Sequence, residues 1–193
     1  MRPSHRSHIR RHYPVRRAIA VIVAIIIVAW CVFAVRFLWF PHVDKQPAHV
    51  DAIVQLGGPH GGVDTYEATR NMARDYTTNL VISDPYTEKP DLGARICAPD
   101  PGVAVYCIHP DPSTTRGEAQ AIEQLAEEHG WSHIMVYATG KYHVARARMI
   151  IGRCYSGDLN VGYHKTPLSW KDTIWEWAYQ TGGVVKVLFQ RGC

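Results

Sequence analysis

His49-Val-Asp-Ala-Ile-Val-Gln-Leu56, running directly into Gly57-Gly58-Pro59-His60-Gly61-Gly62, is the stretch from which the fold is read. Ala52, Ile53, Val54 and Leu56 are apolar without the strict alternation of a half-exposed strand, and glycines close the run. That is the pattern of a short strand buried on both faces. Downstream, the same kind of run recurs at Leu80–Ser83, Val103–Ile108, His133–Ala138 and Leu159–Tyr163. Helix-like stretches separate them: Asp64–Tyr76, Thr115–His129 and Tyr142–Arg153. Residues 84–102, rich in Pro, Gly and Asp, read as an irregular excursion, and Trp170–Phe189 as an aromatic-rich helix broken near Gly182-Gly183. Apolar strands alternating with helices predict an α/β domain of about five strands, its mainly parallel sheet covered on both faces. Thr115–His129 carries the clearest helix signals. Thr115 and Glu118 have the spacing of a capping box, Ala119, Ile122, Leu125 and Ala126 make an apolar face, and Gly130 ends it.

Upstream the chain changes character. Ala18–Val35 is eighteen residues without a charge, about 27 Å of helix against a ~30 Å hydrocarbon core. Arg36 can snorkel, and Trp39 and Phe40 suit a membrane interface. Residues 1–17 hold six arginines and no acid, whereas residues 41–193 hold 14 Lys+Arg against 17 Asp+Glu. The formal charge of +4 therefore belongs to the tail, and the body has no cationic surplus to suggest nucleic-acid binding. The expected organisation is a basic cytoplasmic tail (1–17), a transmembrane anchor (18–40), a linker (41–48) and an extracytoplasmic domain (49–193), single-pass in the plasma membrane. A cleavable signal peptide would have a shorter apolar run and small residues at the cut. A lipoprotein signal would place a small residue before the cysteine, where Trp30 precedes Cys31. The pairs Arg10-Arg11 and Arg16-Arg17 match a twin-arginine signal only as bare pairs.

Cys97, Cys107, Cys154 and Cys193 lie in the outer domain, and no Cys/His spacing suggests zinc. Disulfides are expected there, and of the three possible pairings Cys97–Cys107 with Cys154–Cys193 is favoured: one closes a short excursion, the other pins the C-terminus.

In an open parallel sheet, ligands bind beyond the C-terminal ends of the strands. That rule gathers Gly57, Gly58, His60, Gly61, Gly62 and Asp64 from the first strand, and Ser83 and Asp84 from the second. The third contributes Ser113, Thr114, Thr115, Arg116 and Glu118; the fourth, Thr139, Lys141, Tyr142, His143 and Arg146. The glycine loop can point amides at an anion, but its spacing is not that of a dinucleotide site. His143 and Arg146, three apart on the first turn of a helix, share a face. A histidine there can exchange a proton near neutral pH, and an arginine can hold a phosphate or carboxylate through two hydrogen bonds. His143 and Glu118 are the candidate acid/base groups. Gly57, Gly58, Asp64, Glu67, Thr115, Arg116, Thr139, Lys141, Tyr142 and Arg146 are the candidate ligand-binding residues. Arg148 falls on another face and reads as a solvated charge. No metal is expected, and the residues name no cofactor.

The segments VDAIVQLGG, STTRGEA and ATGKYHVARA, in this order, resemble the ElyC/SanA/YdcF family of bacterial envelope-associated domains over about residues 49–189. Members typically read Ser-x-x-Tyr-His-x-x-Arg-Ala after a strand; here it is Thr139-Gly-Lys-Tyr142-His143-Val-Ala-Arg146-Ala147. The middle motif, Thr-x-Glu-Asn-Ala in many members, is here Thr115-Arg-Gly117-Glu118-Ala119. The resemblance implies a three-layer α/β/α, Rossmann-like domain behind a membrane helix, in cell-envelope and peptidoglycan or lipid-carrier metabolism. The expected ligand is an anionic, phosphorylated or sugar-containing envelope intermediate, lipid-linked in character. Two alternatives stay open. One is a nucleotide or S-adenosylmethionine module, as reported for a soluble branch; the other is a non-catalytic envelope scaffold.

Overall fold

The computed structural model describes residues 12–58, 62–84, 90–190 and 192–193. Helix α1 (His12–Phe33) continues as six π-helical residues, Ala34–Trp39. Pro14–Trp39 is long and apolar enough to cross a membrane. Its Ile and Val side chains stand exposed, and only Ala34 and Leu38 near its end are buried against the domain.

The domain follows as β1 (Ala52–Gln55), α2 (Val63–Tyr76), β2 (Asn79–Ser83), α3 (Pro90–Ile96), β3 (Ala104–Ile108), α4 (Thr115–His129) and β4 (His133–Ala138). A 3-10 turn (Lys141–His143), α5 (Val144–Cys154), β5 (Asp158–Tyr163) and α6 (Trp170–Phe189) complete it. All strand pairs are parallel, in the order β3-β2-β1-β4-β5. The expected α/β sheet of five strands is present, with two additions: α3 lies within the stretch read as irregular, and α6 runs unbroken through Gly182-Gly183.

β1 explains its own sequence. Ala52, Val54 and Leu56 pack with Ala119 and Ile122 of α4 and Ala147 and Ile151 of α5. Ile53 points the other way, to Tyr66 and Ala73 of α2 and Ile96 of α3. With helices on both faces, no position on the strand is left for a solvated residue. Gln55, fully buried on the α2 face, accepts the Thr69 hydroxyl and donates to the Leu56 carbonyl, so its amide is satisfied.

Both expected disulfides are formed. Cys97–Cys107 ties the residue after α3 to β3, and Cys154–Cys193 ties the C-terminus to the end of α5. The linker is also fixed. Asp44 donates its amide to the Val161 carbonyl, and its carboxylate accepts the Val161 amide and the Arg148 guanidinium at 2.6 Å. Those contacts hold the Asp44 carboxyl below its usual pKa even though burial pushes the other way. Arg148 is thus an ion-pair partner of the linker and not the solvated charge its sequence position suggested.

The start of α4 also differs from expectation. Its cap is Thr114, whose hydroxyl accepts the Gly117 amide, not Thr115. A side chain on Gly117 would place its Cβ 2.1 Å from the Pro112 carbonyl oxygen, so the preceding loop lies directly on the helix. Gly117→Ala is therefore expected to cost ~1–3 kcal/mol by forcing that loop away. Gly182→Ala, where a Cβ meets nothing within 4 Å, is expected to be neutral or to gain ~0.5–1 kcal/mol of helix propensity. Urea midpoints of the two variants in detergent measure the contrast.

Candidate functional site

The sheet order reverses at β1: the chain moves outward to β2 and β3, then returns to place β4 and β5 on the opposite side. A crevice opens where the connections diverge, beyond the C-terminal ends of β1 and β4. A cavity of about 730 Å³ occupies it, a volume suited to a small molecule.

Of the residues read from the sequence, Gly57, Gly58, Thr115, Glu118, Thr139, Lys141, Tyr142, His143 and Arg146 line this cavity. Ser113 and Thr114 do so as well. Three candidates stand elsewhere. Asp64 and Glu67 are exposed on the first turns of α2 and are not part of the lining. Arg116 turns its guanidinium to the carbonyl of Cys193. His60 and Gly61 lie outside the described residues.

Glu118 is buried, and its Oε1 accepts the Gly57 amide at 2.8 Å. The side chain expected to close a capping box therefore bridges α4 to the loop after β1. Burial raises its pKa above the usual carboxylate range, against the Ser83 hydroxyl, the Gly57 amide and the Arg146 charge, which favour the anion. Released from capping, Thr115 places its Oγ1 3.2 Å from His143 Nε2.

His143 is itself buried, and desolvation together with Arg146 lowers its pKa to about 3. It is neutral at physiological pH, so the site holds an imidazole with one acceptor nitrogen and not a group poised near neutrality. A neutral imidazole against a hydroxyl has the geometry of a general base.

Arg146 lies one turn further along. Its guanidinium carbon sits 5.1 Å from the centroid of the Tyr179 ring, and among the described residues no carboxylate is within ion-pair range of it. Its stem passes so close to α6 that a Cβ on Gly183 would fall 2.8 Å from Arg146 Cδ. The glycine read as a helix break is instead the space through which the arginine reaches the cavity. Lys141 is held differently, with Nζ 4.1 Å from the ring centroid of Trp39.

Further lining comes from the segment after β5 and from α6, which the strand-end rule was not applied to. Lys165 and Thr166 follow β5, and Glu176, Tyr179 and Gln180 lie on α6. Lys165 and Thr166 obey the same strand-end rule as the others, so extending the rule to β5 would have found them. Glu176 and Gln180 are buried and hydrogen-bonded to each other at 3.0 Å. Their spacing of four is visible in the sequence, but the face of α6 that meets the cavity is not.

Asp84, Cys107 and His109 also bring one potential metal ligand each within 4.8 Å of one another. Cys107 is bridged to Cys97, however, and the metal-binding form of cysteine is the free thiolate. No protein-family model, no curated protein and no solved structure matches this chain.

The shift of His143 sets a pH dependence. The unfolded chain takes up a proton near pH 6.5 that the folded chain refuses until about pH 3, so stability falls as pH drops through that window. Glu118 acts in the opposite sense, because its raised pKa favours the folded state as pH falls towards 4.5. His143 alone is expected to remove ~2 kcal/mol of stability between pH 6.5 and 4.5. Urea titrations at the two pH values should show that loss in the native protein and a shallower one in His143→Gln.

Proposed function

We propose that the cavity binds the anionic headgroup of a phosphorylated or sugar-containing, lipid-linked envelope intermediate. The supporting observation is Arg146, a cation on the cavity wall with no carboxylate partner among the described residues, beside an imidazole that carries no competing charge. Half-buried on the cavity wall and outside ion-pair range of Glu118, whose anion its charge favours, this guanidinium can take a bound phosphate or carboxylate through two hydrogen bonds. Thr115, Thr139 and Glu176 surround it with groups suited to sugar hydroxyls. His143, aimed at the Thr115 hydroxyl, and Glu118, its carboxyl raised by burial, are the groups for any proton transfer in the site.

In this reading Pro14–Trp39 crosses the plasma membrane, the arginine-rich tail stays in the cytoplasm and the domain stands outside. The charge of the tail and the two disulfides support that orientation. The motif Thr139–Ala147 supports assignment to the ElyC/SanA/YdcF family. An alkaline phosphatase fused after Cys193 is then expected to be active in intact cells, and a fluorescent protein that folds only in the cytoplasm to be dark.

Binding is tested by calorimetry on the full chain in detergent, with inorganic phosphate, a sugar phosphate, a polyprenyl phosphate and S-adenosylmethionine. The polyprenyl phosphate is expected to bind tightest. Arg146→Gln should weaken it ~10- to 100-fold, the ~1.5–3 kcal/mol of a charge-assisted contact. His143→Gln should leave affinity within a few-fold. Preference for S-adenosylmethionine would favour a nucleotide-type module, and no binding by any of the four would favour the scaffold reading.

A further inference from the structure

α6 carries three kinds of surface. Thr173, Glu176 and Gln180 face the cavity, and Val184 and Val187 are buried. Next on the helix circumference, Trp177 and Thr181 touch the long apolar helix. The Trp177 ring centroid lies 6.2 Å from that of Trp30 and 5.5 Å from that of Trp39, and Trp30 Nε1 donates to Thr181 Oγ1. Along and beside that contact line lies a third surface, with Trp170 and Ile174 towards the start of the helix and Val185, Leu188 and Phe189 towards its end, all exposed, Phe189 at 83%. An apolar stripe of this kind facing water would cost a soluble domain solubility and stability.

Two further features specify what covers it. The stripe is continuous with the contact to the apolar helix, and Trp30 lies six residues before Arg36, roughly 9 Å below the level at which that arginine would reach the interface. Thr181, bonded to Trp30, shares that depth, which matches the ~5–10 Å to which amphipathic helices sink into a bilayer surface. The charges flanking the stripe are Lys171 and Lys186, both exposed and both able to extend to headgroups. The acids of α6 are turned away: Asp172 is engaged by Ser169, and Glu176 is buried beside the cavity.

We infer that α6 is a second membrane element, half-sunk in one leaflet beside the spanning helix with Trp170, Ile174, Val185, Leu188 and Phe189 against acyl chains. This rests on the reading that Pro14–Trp39 spans the bilayer. One wall of the cavity, formed by Thr173, Glu176 and Gln180, is then the inner side of a helix whose outer side is in lipid.

The test uses the full chain in phosphatidylcholine–phosphatidylglycerol vesicles, with bromines on the acyl chains of the phosphatidylcholine as a tryptophan quencher. Emission of Trp30 and of Trp170 is isolated by difference from Trp30→Phe and Trp170→Phe, and the far end of the helix by the signal gained in Phe189→Trp. Quenching of all three by about half or more is the expected result. Trp30 quenched with the two α6 signals untouched would overturn the proposal while leaving the spanning helix in place. An unquenched Trp30 would overturn the spanning reading and this inference with it. α6 signals shielded from both brominated lipid and aqueous iodide would mean that protein, a second copy or a partner, covers the stripe instead, and would equally overturn it.

Discussion

The carboxylate of Glu118 is stripped of water by folding and given the Gly57 amide in return. That exchange decides where the rest of the site lies. It pulls the loop after β1 against α4, from 61 residues away in the chain. Thr114 caps α4, and Thr115 faces His143. A carboxyl with a raised pKa and an imidazole with a lowered one then share a single desolvated pocket, with Arg146 acting on both. Arg146 favours the anion of the carboxyl and opposes protonation of the imidazole, so one charge biases both groups.

The fold was legible because burial on both faces leaves a plain mark on a strand. His49–Leu56 could not be a half-exposed strand, and five such runs, most of them separated by helices, admit few arrangements. The even number of cysteines pointed to disulfides, and the favoured one of three possible pairings is the one formed. The site was legible to the extent that it sits at strand ends: nine of the twelve residues singled out for it line one cavity.

What escaped the sequence was the direction in which side chains point. Asp64 and Glu67 lie near β1 in the chain but on exposed turns of α2. Arg116 differs from its neighbour Thr115 by a hundred degrees of helix and faces the C-terminus instead. Gly183 looks like a break unless the arginine beside it is known. The contribution of α6 was hidden for a related reason, since its aromatic composition marks three different surfaces at once.

The fixing of Asp44 by Val161 and Arg148 has a mechanical meaning. Only four residues, Phe40–Val43, separate the end of the apolar helix at Trp39 from a residue stitched to the sheet edge. Trp39 itself packs on Tyr142 in the cavity wall. There is no slack in which the domain could swing, so helix and cavity turn together. Helices in bilayers tilt to match the thickness of the hydrocarbon around them. With Pro14–Trp39 spanning a bilayer, as proposed, a mount this stiff would convert such a tilt into a change in the cavity's bearing relative to the membrane plane, so local bilayer thickness would set the angle at which the pocket meets what approaches it.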